Sequence, residues 1–429
     1  MTKIYLKKGR DEALRRFHPW VFSGAVKSMS AQPSEGEIVD VYSAGGDFLG
    51  RGYYQTGSIM VRILTFEDEP VDSGFWIKKL GAALELRRAL GFSNEIPDFS
   101  ASSVQPSSCG LPTTAYRLVH GEGDGLSGLI IDIYNRTAVI QTHTVGMRMA
   151  RKTITDALLE VYGNDLDAVY DKSPAISALK ERAASECDDE FTDGYLFRKN
   201  SEPESDTQPE AAALFNGETI YENGNKFLVD WEKGQKTGFF LDQRDNRALV
   251  KRYADGKKVL NLFCYTGGFS IYALNGGALS VDSVDSSDGA VEMLDRNVVL
   301  NGFDSVRHKS HCCDAMDFLA GSEKGTYDLM IVDPPAFAKH RSALNNALRA
   351  YRRLNAAAIE KVAPGGIIFT FSCSQVVDRQ AFSLAVFSAA AQSRRKVRIL
   401  YRLGQPADHP VNIYHPEGEY LKGLVLYVE

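Results

Sequence analysis

An excess of basic residues is the first thing this chain lacks. Its 429 residues carry 49 Lys and Arg against 55 Asp and Glu, a formal net charge of −6. A cationic body that coats nucleic acid indiscriminately is therefore excluded. Cysteine is scarce as well, with six in all: Cys109, Cys187, Cys264, Cys312, Cys313 and Cys373. None form a C-x-x-C pair, which argues against a disulfide framework or a structural zinc site. The eight histidines show no metal-binding helix motif, and no metal is predicted. No apolar run approaches the ~20 residues of a membrane-crossing helix. The opening "MTKIYLKKGRDEALRRFHPW" has bases but no apolar segment, unlike a secretory signal. A cytoplasmic location with reduced thiols is expected.

What charge there is lies unevenly. Residues 186–210 hold nine acids and two bases, which predicts a solvated loop or insertion. Outside it, bases cluster. Residues 1–27 hold seven Lys and Arg against two acids, "RRKVR" spans 394–398, and "RAYRR" spans 349–353. Each cluster alone reads as a solvated face. Together they predict a surface for phosphate groups.

Three units follow from the patterning. Short alternating segments with Gly-rich turns, such as "GEIVDVYSAGGDFLGRGYY" and "SIMVRILTF", predict a small β domain over 1–72. An α+β connecting unit is predicted over 73–237. It begins with the helical "SGFWIKKLGAALELRRAL" and carries a polar loop at 92–113, the acidic stretch and a hairpin around Asn223-Gly224. From 238 to 429 strands and helices alternate, which predicts an α/β, doubly wound, mostly parallel sheet.

The carboxyl ends of that sheet's strands carry the polar residues. "VLNLFCYTGGFSIYAL" reads as strand, turn and helix. Gly267 and Gly268 let the backbone approach a ligand, and a helix starting near Phe269 points its unpaired N–H groups there. The next strand ends at Asp285, placed for ribose hydroxyls. The third ends at Asp314, which could meet an adenine amine, and the fourth at Asp333 in "VDPPAF". Any one acid could be an ordinary helix cap. The series favours an adenosine-containing cofactor over a dinucleotide, since the turn at Gly267-Gly268 does not follow G-x-G-x-x-G. The fifth strand, "IIFTFSCSQ", ends at Cys373. That thiol is either core filler or a nucleophile shown by the sheet.

These motifs, with "KTGFFLDQRDNR", "SVDSSDGAVEMLDRNVVLNG", "TFSCS" and "ADHPVNIYHPEGEYLKG", resemble the bacterial large-subunit (23S) ribosomal RNA cytosine-C5 methyltransferases. Those are class I S-adenosylmethionine-dependent enzymes. "KGRDEALRRFHPWVFSGAV" resembles their N-terminal RNA-binding PUA domain, and "YRLVHGEGDGLSGLIID" their connecting domain. The resemblance implies a Rossmann-like methyltransferase sheet and S-adenosylmethionine as cofactor. Expected cofactor contacts are Gln243, Asn261, Cys264, Tyr265, Thr266, Gly267, Gly268, Phe269, Asp285, Ser286, Asp314, Ala315 and Asp333. It implies Cys373 as nucleophile on cytosine C6, with Asp333 beside it as catalytic partner. Pro334, Pro335 and Phe337 would meet the base. Cys264, Cys312 and Cys313 read as packing. Ribosomal RNA is the implied partner, no membrane is involved, and a homodimer is left open. Two rival readings stand: an RNA amino-methyltransferase that uses the "DPPAF" loop without a thiol, and a non-catalytic RNA-binding assembly protein. His409 is a candidate pocket residue or a structural one. His415 stands where a non-titrating residue is expected.

Overall fold

The computed structural model describes residues 1–92, 112–174, 194–199, 218–338 and 340–429. Cys109, Cys187, most of the polar loop and most of the acidic stretch lie outside these. The chain forms two compact units. One comprises Met1–Ile220, Val229–Leu241 and Ala407–Gly418; the other comprises Tyr221–Leu228, Asp242–Pro406 and Glu419–Glu429.

The first unit holds two sheets. Strands β1 (Thr2–Leu6), β2 (Trp20–Phe22), β3 (Val26–Met29), β4 (Ile38–Tyr42), β5 (Phe48–Tyr54) and β6 (Ile59–Thr65) form one, in the order β2-β6-β5-β4-β1-β3. Their alternating apolar positions, Ile4, Leu6, Val39, Val41, Val61 and Ile63, make its core. A second sheet runs β11-β10-β9-β8-β7, from β7 (Ala115–His120), β8 (Leu129–Tyr134), β9 (Thr137–Thr142), β10 (Ala168–Asp171) and β11 (Gly194–Arg198). The acidic composition predicts a loop here, yet β11 is a strand. Its "GYLFR" alternates, Phe197 pairs Val169 in register, and Tyr195 packs edge-on to Tyr170 at 5.0 Å. Local alternation overrides the charge of the flanking residues.

Helices α1 (Glu12–Arg15), α2 (Ser73–Ala89) and α3 (Val145–Tyr162) belong to this unit. Asp72 caps α2 by accepting the Phe75 N–H at 3.0 Å. A two-stranded hairpin, β12 (Glu218–Glu222) and β13 (Asn225–Val229), turns at Asn223 and Gly224, both with positive φ.

The second unit is built on seven strands: β14 (Lys258–Leu262), β15 (Ser280–Asp285), β16 (His308–Cys312), β17 (Leu329–Val332), β18 (Gly366–Ser372), β19 (Val397–Leu403) and β20 (Lys422–Val428). Their order is β16-β15-β14-β17-β18-β20-β19. The first five are parallel, and β20 is antiparallel to both neighbours. Among the described residues six helices alternate with them: α4 (Arg244–Tyr253), α5 (Gly268–Asn275), α6 (Asp288–Leu300), α7 (Ala315–Gly321), α8 (Leu344–Lys361) and α9 (Arg379–Ser393). The near-continuous apolar runs of β17 and β18 are buried, as a sheet covered on both faces requires. Strand order reverses between β14 and β17. That is the switch point where open α/β sheets leave a crevice at the strands' carboxyl ends. No helix among the described residues is long and apolar enough to cross a membrane.

Candidate active site

The turn after β14 is tightly wound. Phe263, Tyr265 and Gly267 have φ of 59°, 47° and 85°. Such a run costs energy and persists only when neighbours over-determine it. Three contacts do so. The Cys264 N–H donates to Val284 O at 3.0 Å, the Tyr265 N–H to Asp285 Oδ2 at 2.9 Å, and Asn297 Nδ2 to Thr266 O at 2.9 Å. At Gly267 a Cβ would overlap Leu294 Cδ1. At Gly268 it would lie 3.0 Å from Arg247 Cδ. The hydroxyl of Thr266 is buried with no hydrogen-bond partner among the described residues. A glycine cradle over a helix start, with an orphaned hydroxyl in it, fits the polar end of an amino-acid-bearing nucleoside.

Asp285 serves the turn and leaves acceptor capacity. One oxygen takes the Tyr265 N–H and the other the Ser287 N–H at 3.0 Å. The carboxylate is half-buried, and Ser286 beside it is exposed. Asp314 caps α7: its Oδ1 accepts the Met316 and Asp317 N–H groups at 2.7 and 3.1 Å. Asp314 is exposed and Ala315 is buried. Asn261 and Cys264 turn inward. Asn261 is fully enclosed and donates to Ser270 Oγ at 2.8 Å, in a polar ladder that continues to Ser283 and His308. It supports the turn from behind, and its Oδ1 is buried with no hydrogen-bond partner among the described residues. Burial, with Asp285 alongside, pushes the Cys264 thiol well up, which makes it a poor nucleophile. Phe269 is buried and stacks on Phe371 at 5.6 Å.

Asp333 follows β17 and Cys373 follows β18, and these strands are paired with Val332 opposite Thr370. Gln243 is buried and donates to Asp333 Oδ2 at 2.9 Å. Asn246 Nδ2 in turn donates to Gln243 Oε1 at 2.6 Å, which fixes the amide's orientation. Pro334 is buried, Pro335 exposed, and Phe337 half-buried against Tyr351 at 4.8 Å. Cys373 is half-buried. The serines on either side of it point into the protein: Ser372 donates to the Tyr351 hydroxyl at 2.9 Å and Ser374 to Ala338 O at 2.6 Å. Burial pushes the Tyr351 phenol up to about 12, and Cys373 and Asp333 both lie within its electrostatic reach. Lys422, buried at the start of β20, donates to Ser374 O at 2.6 Å.

Three of these residues do not stand out in the sequence. Tyr351 reads as part of a basic cluster, Asn246 as part of an ordinary helix, and Lys422 as part of a terminal strand. Only Tyr351 has a signal: an aromatic on the apolar stripe of α8, between arginines that are exposed. Cys312 is exposed and Cys313 half-buried. His409 and His415 belong to the first unit. His409 is buried beside Asp408, with Nδ1 3.1 Å from its Oδ1. His415 packs on the Trp20 ring at 4.3 Å, and burial pulls its imidazole down.

Comparison with known proteins gives the family and the fold. A family model for S-adenosylmethionine-dependent methyltransferases matches residues 191–416, and a PUA-like domain model matches residues 4–66. The ribosomal RNA large subunit methyltransferase I of Alteromonas mediterranea is 38% identical, covering 100% of this chain and 99% of its own. That of Aeromonas hydrophila is 38% identical, covering 99% of each. In fold, an S-adenosylmethionine-dependent methyltransferase from Streptococcus mutans superposes with TM-score 0.77 at 23% identity, covering 100% of both chains. A methyltransferase structure complexed with SAH gives 0.79 at 23% identity, also covering 100% of both chains. The cofactor is S-adenosylmethionine, and the chain belongs to the ribosomal RNA large subunit methyltransferase I family, with a PUA-like domain at its N-terminal end.

Proposed function

We propose that this protein methylates C5 of a cytosine in large-subunit ribosomal RNA through a transient bond between Cys373 Sγ and C6, in the cytoplasm. The observation that carries the reading is the placement of Cys373 and Asp333 at the carboxyl ends of adjacent parallel strands, beside the glycine cradle after β14.

The chemistry needs both groups. C5 of cytosine is a weak nucleophile. When bound, S-adenosylmethionine supplies an electrophilic methyl group. The residues of the Gly267 cradle, with Asp285 and Asp314, would hold it. Cys373 as thiolate adds to C6, and the displaced π electrons make C5 nucleophilic. Loss of the C5 proton to a base then restores the C5–C6 double bond and expels the thiolate. Asp333, held by Gln243, accepts from the cytosine amine and fixes the ring so that C6 faces the sulfur. Phe337 walls the extruded base, and Pro334-Pro335 stiffen that loop. The names of the relatives support ribosomal RNA as the substrate.

The test is incubation with the cofactor and RNA containing 5-fluorocytosine, whose fluorine cannot leave as a proton does. A covalent protein–RNA adduct is expected with the wild type and none with Cys373→Ala. Cys373→Ala should also lower methyl transfer by at least about 10³-fold, the scale typical of removing a covalent nucleophile. Full methyl transfer by Cys373→Ala would favour the exocyclic amine as target. An active preparation that forms no adduct would count against C5.

A further inference from the structure

Lys422 is a buried cation with no carboxylate for a partner among the described residues. It is 3% exposed and opens β20 opposite Ser372 in the antiparallel pairing. Lysine is almost never fully buried unpaired. An ammonium has three N–H donors. Two are spent on neutral carbonyls, Ser374 O at 2.6 Å and Tyr420 O at 2.7 Å. The acids near it are committed elsewhere. Glu419 is paired with Arg379, and Asp378 caps α9 by accepting the Ala381 N–H at 2.7 Å. What remains is Cys373. The ammonium sits on the carbonyl of the very next residue, and the strand register sets the Lys422 backbone opposite the residue before.

Charge balance at Cys373 points the same way. Among the described residues, Asp333 and Tyr351 share this corner with Cys373, and Arg379, Glu419 and Asp378 lie within electrostatic reach of Lys422. Tyr351 is neutral, and Asp333 repels a thiolate. A thiol in that company would stay protonated unless a cation offset the carboxylate. Burial pulls the Lys422 amine down to about 8, and charge on Cys373 is the largest influence opposing that fall.

We propose that Lys422 is the built-in counter-ion of Cys373: its ammonium pairs with the sulfur and keeps the nucleophile ionised before RNA arrives. This rests on Cys373 being the nucleophile. The thiol proton leaves to solvent as the pair forms. In catalysis the sulfur electron pair enters the bond to C6. It returns on elimination, so Lys422 meets a thiolate again at the end of each cycle. Lys422 is a positioning residue here, acting through the sulfur.

Two measurements on the full chain without RNA test it. The difference in thiolate ultraviolet absorbance between wild type and Cys373→Ser titrates this one sulfur. Its midpoint should fall below the ordinary cysteine value of about 8.5; a midpoint at or above that value overturns the pairing. Iodoacetamide alkylation of the Cys373 peptide, followed by mass spectrometry, is the second. At neutral pH, Lys422→Met should slow it at least about ten-fold, the least effect of removing an adjacent opposite charge. Lys422→Arg, which keeps the charge, should alkylate near the wild-type rate. A folded Lys422→Met that alkylates like wild type would show that Lys422 merely latches the strand corner. The wild-type titration decides the matter even where Lys422→Met does not fold. The fluorocytosine adduct separates the two ideas. An adduct with an ordinary thiol midpoint sinks the pairing alone, and a low midpoint without an adduct sinks the cytosine-C5 reading alone.

Discussion

Gly267 shows how much one missing methyl group does. Its φ of 85° is open to glycine and strained for other residues, and a Cβ there would overlap Leu294 on α6. Gly267→Ala should therefore cost about 1–3 kcal/mol in backbone strain alone, and α6 must shift to admit the new carbon. A thermal melt and calorimetric titration with S-adenosylmethionine would read this as a lowered melting temperature and weakened cofactor affinity. Unchanged affinity would mean that the turn lies away from the cofactor. Gly267 is legible in the sequence because Gly-Gly between a strand and a helix marks a tight turn that a ligand can approach. Lys422 is not, because a lysine at a strand start is ordinarily solvated. Only the pairing of β20 with β18 turns it inward, and that pairing joins residues about fifty positions apart.

Elements carry the site through their ends, and α4 is the least obvious of them. Gln243 precedes it and holds Asp333. The helix is anchored by a buried ion pair: Arg247 donates from Nε and Nη2 to the two oxygens of Glu222 at 2.7 Å each. Tyr272 on α5 donates to Glu222 O at 3.1 Å. Glu222 thus ties together the helix that orients Asp333 and the helix that starts at the glycine cradle. Glu222→Ala leaves the Arg247 guanidinium buried without its carboxylate, which should destabilise this unit by about 3–5 kcal/mol. Urea unfolding would show it as a lower midpoint. Methyl transfer should fall below what the folded fraction accounts for, because Gln243 loses its footing. Activity that tracks the folded fraction alone would separate α4 from the site. The alternation of strands and helices is readable from residue 258 onward, and so are the acids at the strand ends. The sheet order is not, since β20 inserts between β18 and β19, a long-range choice that no local pattern encodes. The family resemblance implies Gln243 as a cofactor contact. Its observed hold on Asp333 depends on a residue ninety positions away.

The whole molecule is acidic, yet its proposed substrate is a polyanion. The net charge of −6 is concentrated in residues 186–210, while the N-terminal lysines and arginines stand on the surface. Some are committed: Arg15 pairs with Asp11 and Asp47, and Arg16 with Glu12. Lys8, Arg10 and Lys27 are exposed on the same small β domain, which matches a PUA-like model. Binding through such groups releases counterions, so the slope of log affinity against log salt counts the phosphates engaged. If this domain grips RNA, Lys8→Glu with Arg10→Glu should make that slope shallower by about 0.7–0.9 for each phosphate no longer engaged. Turnover at saturating RNA should stay unchanged, because both residues lie in the first unit and the proposed reacting groups, Cys373 and Asp333, in the second. Fluorescence anisotropy with a ribosomal RNA fragment across a potassium chloride series measures the slope. An unchanged slope would place the RNA-binding groups elsewhere and leave the exposed Arg352 and Arg353 of α8, with Arg394 and Lys396 after α9, as the phosphate-binding candidates. The two outcomes assign RNA binding to different units of one chain, and only the first gives the N-terminal domain a part in substrate capture.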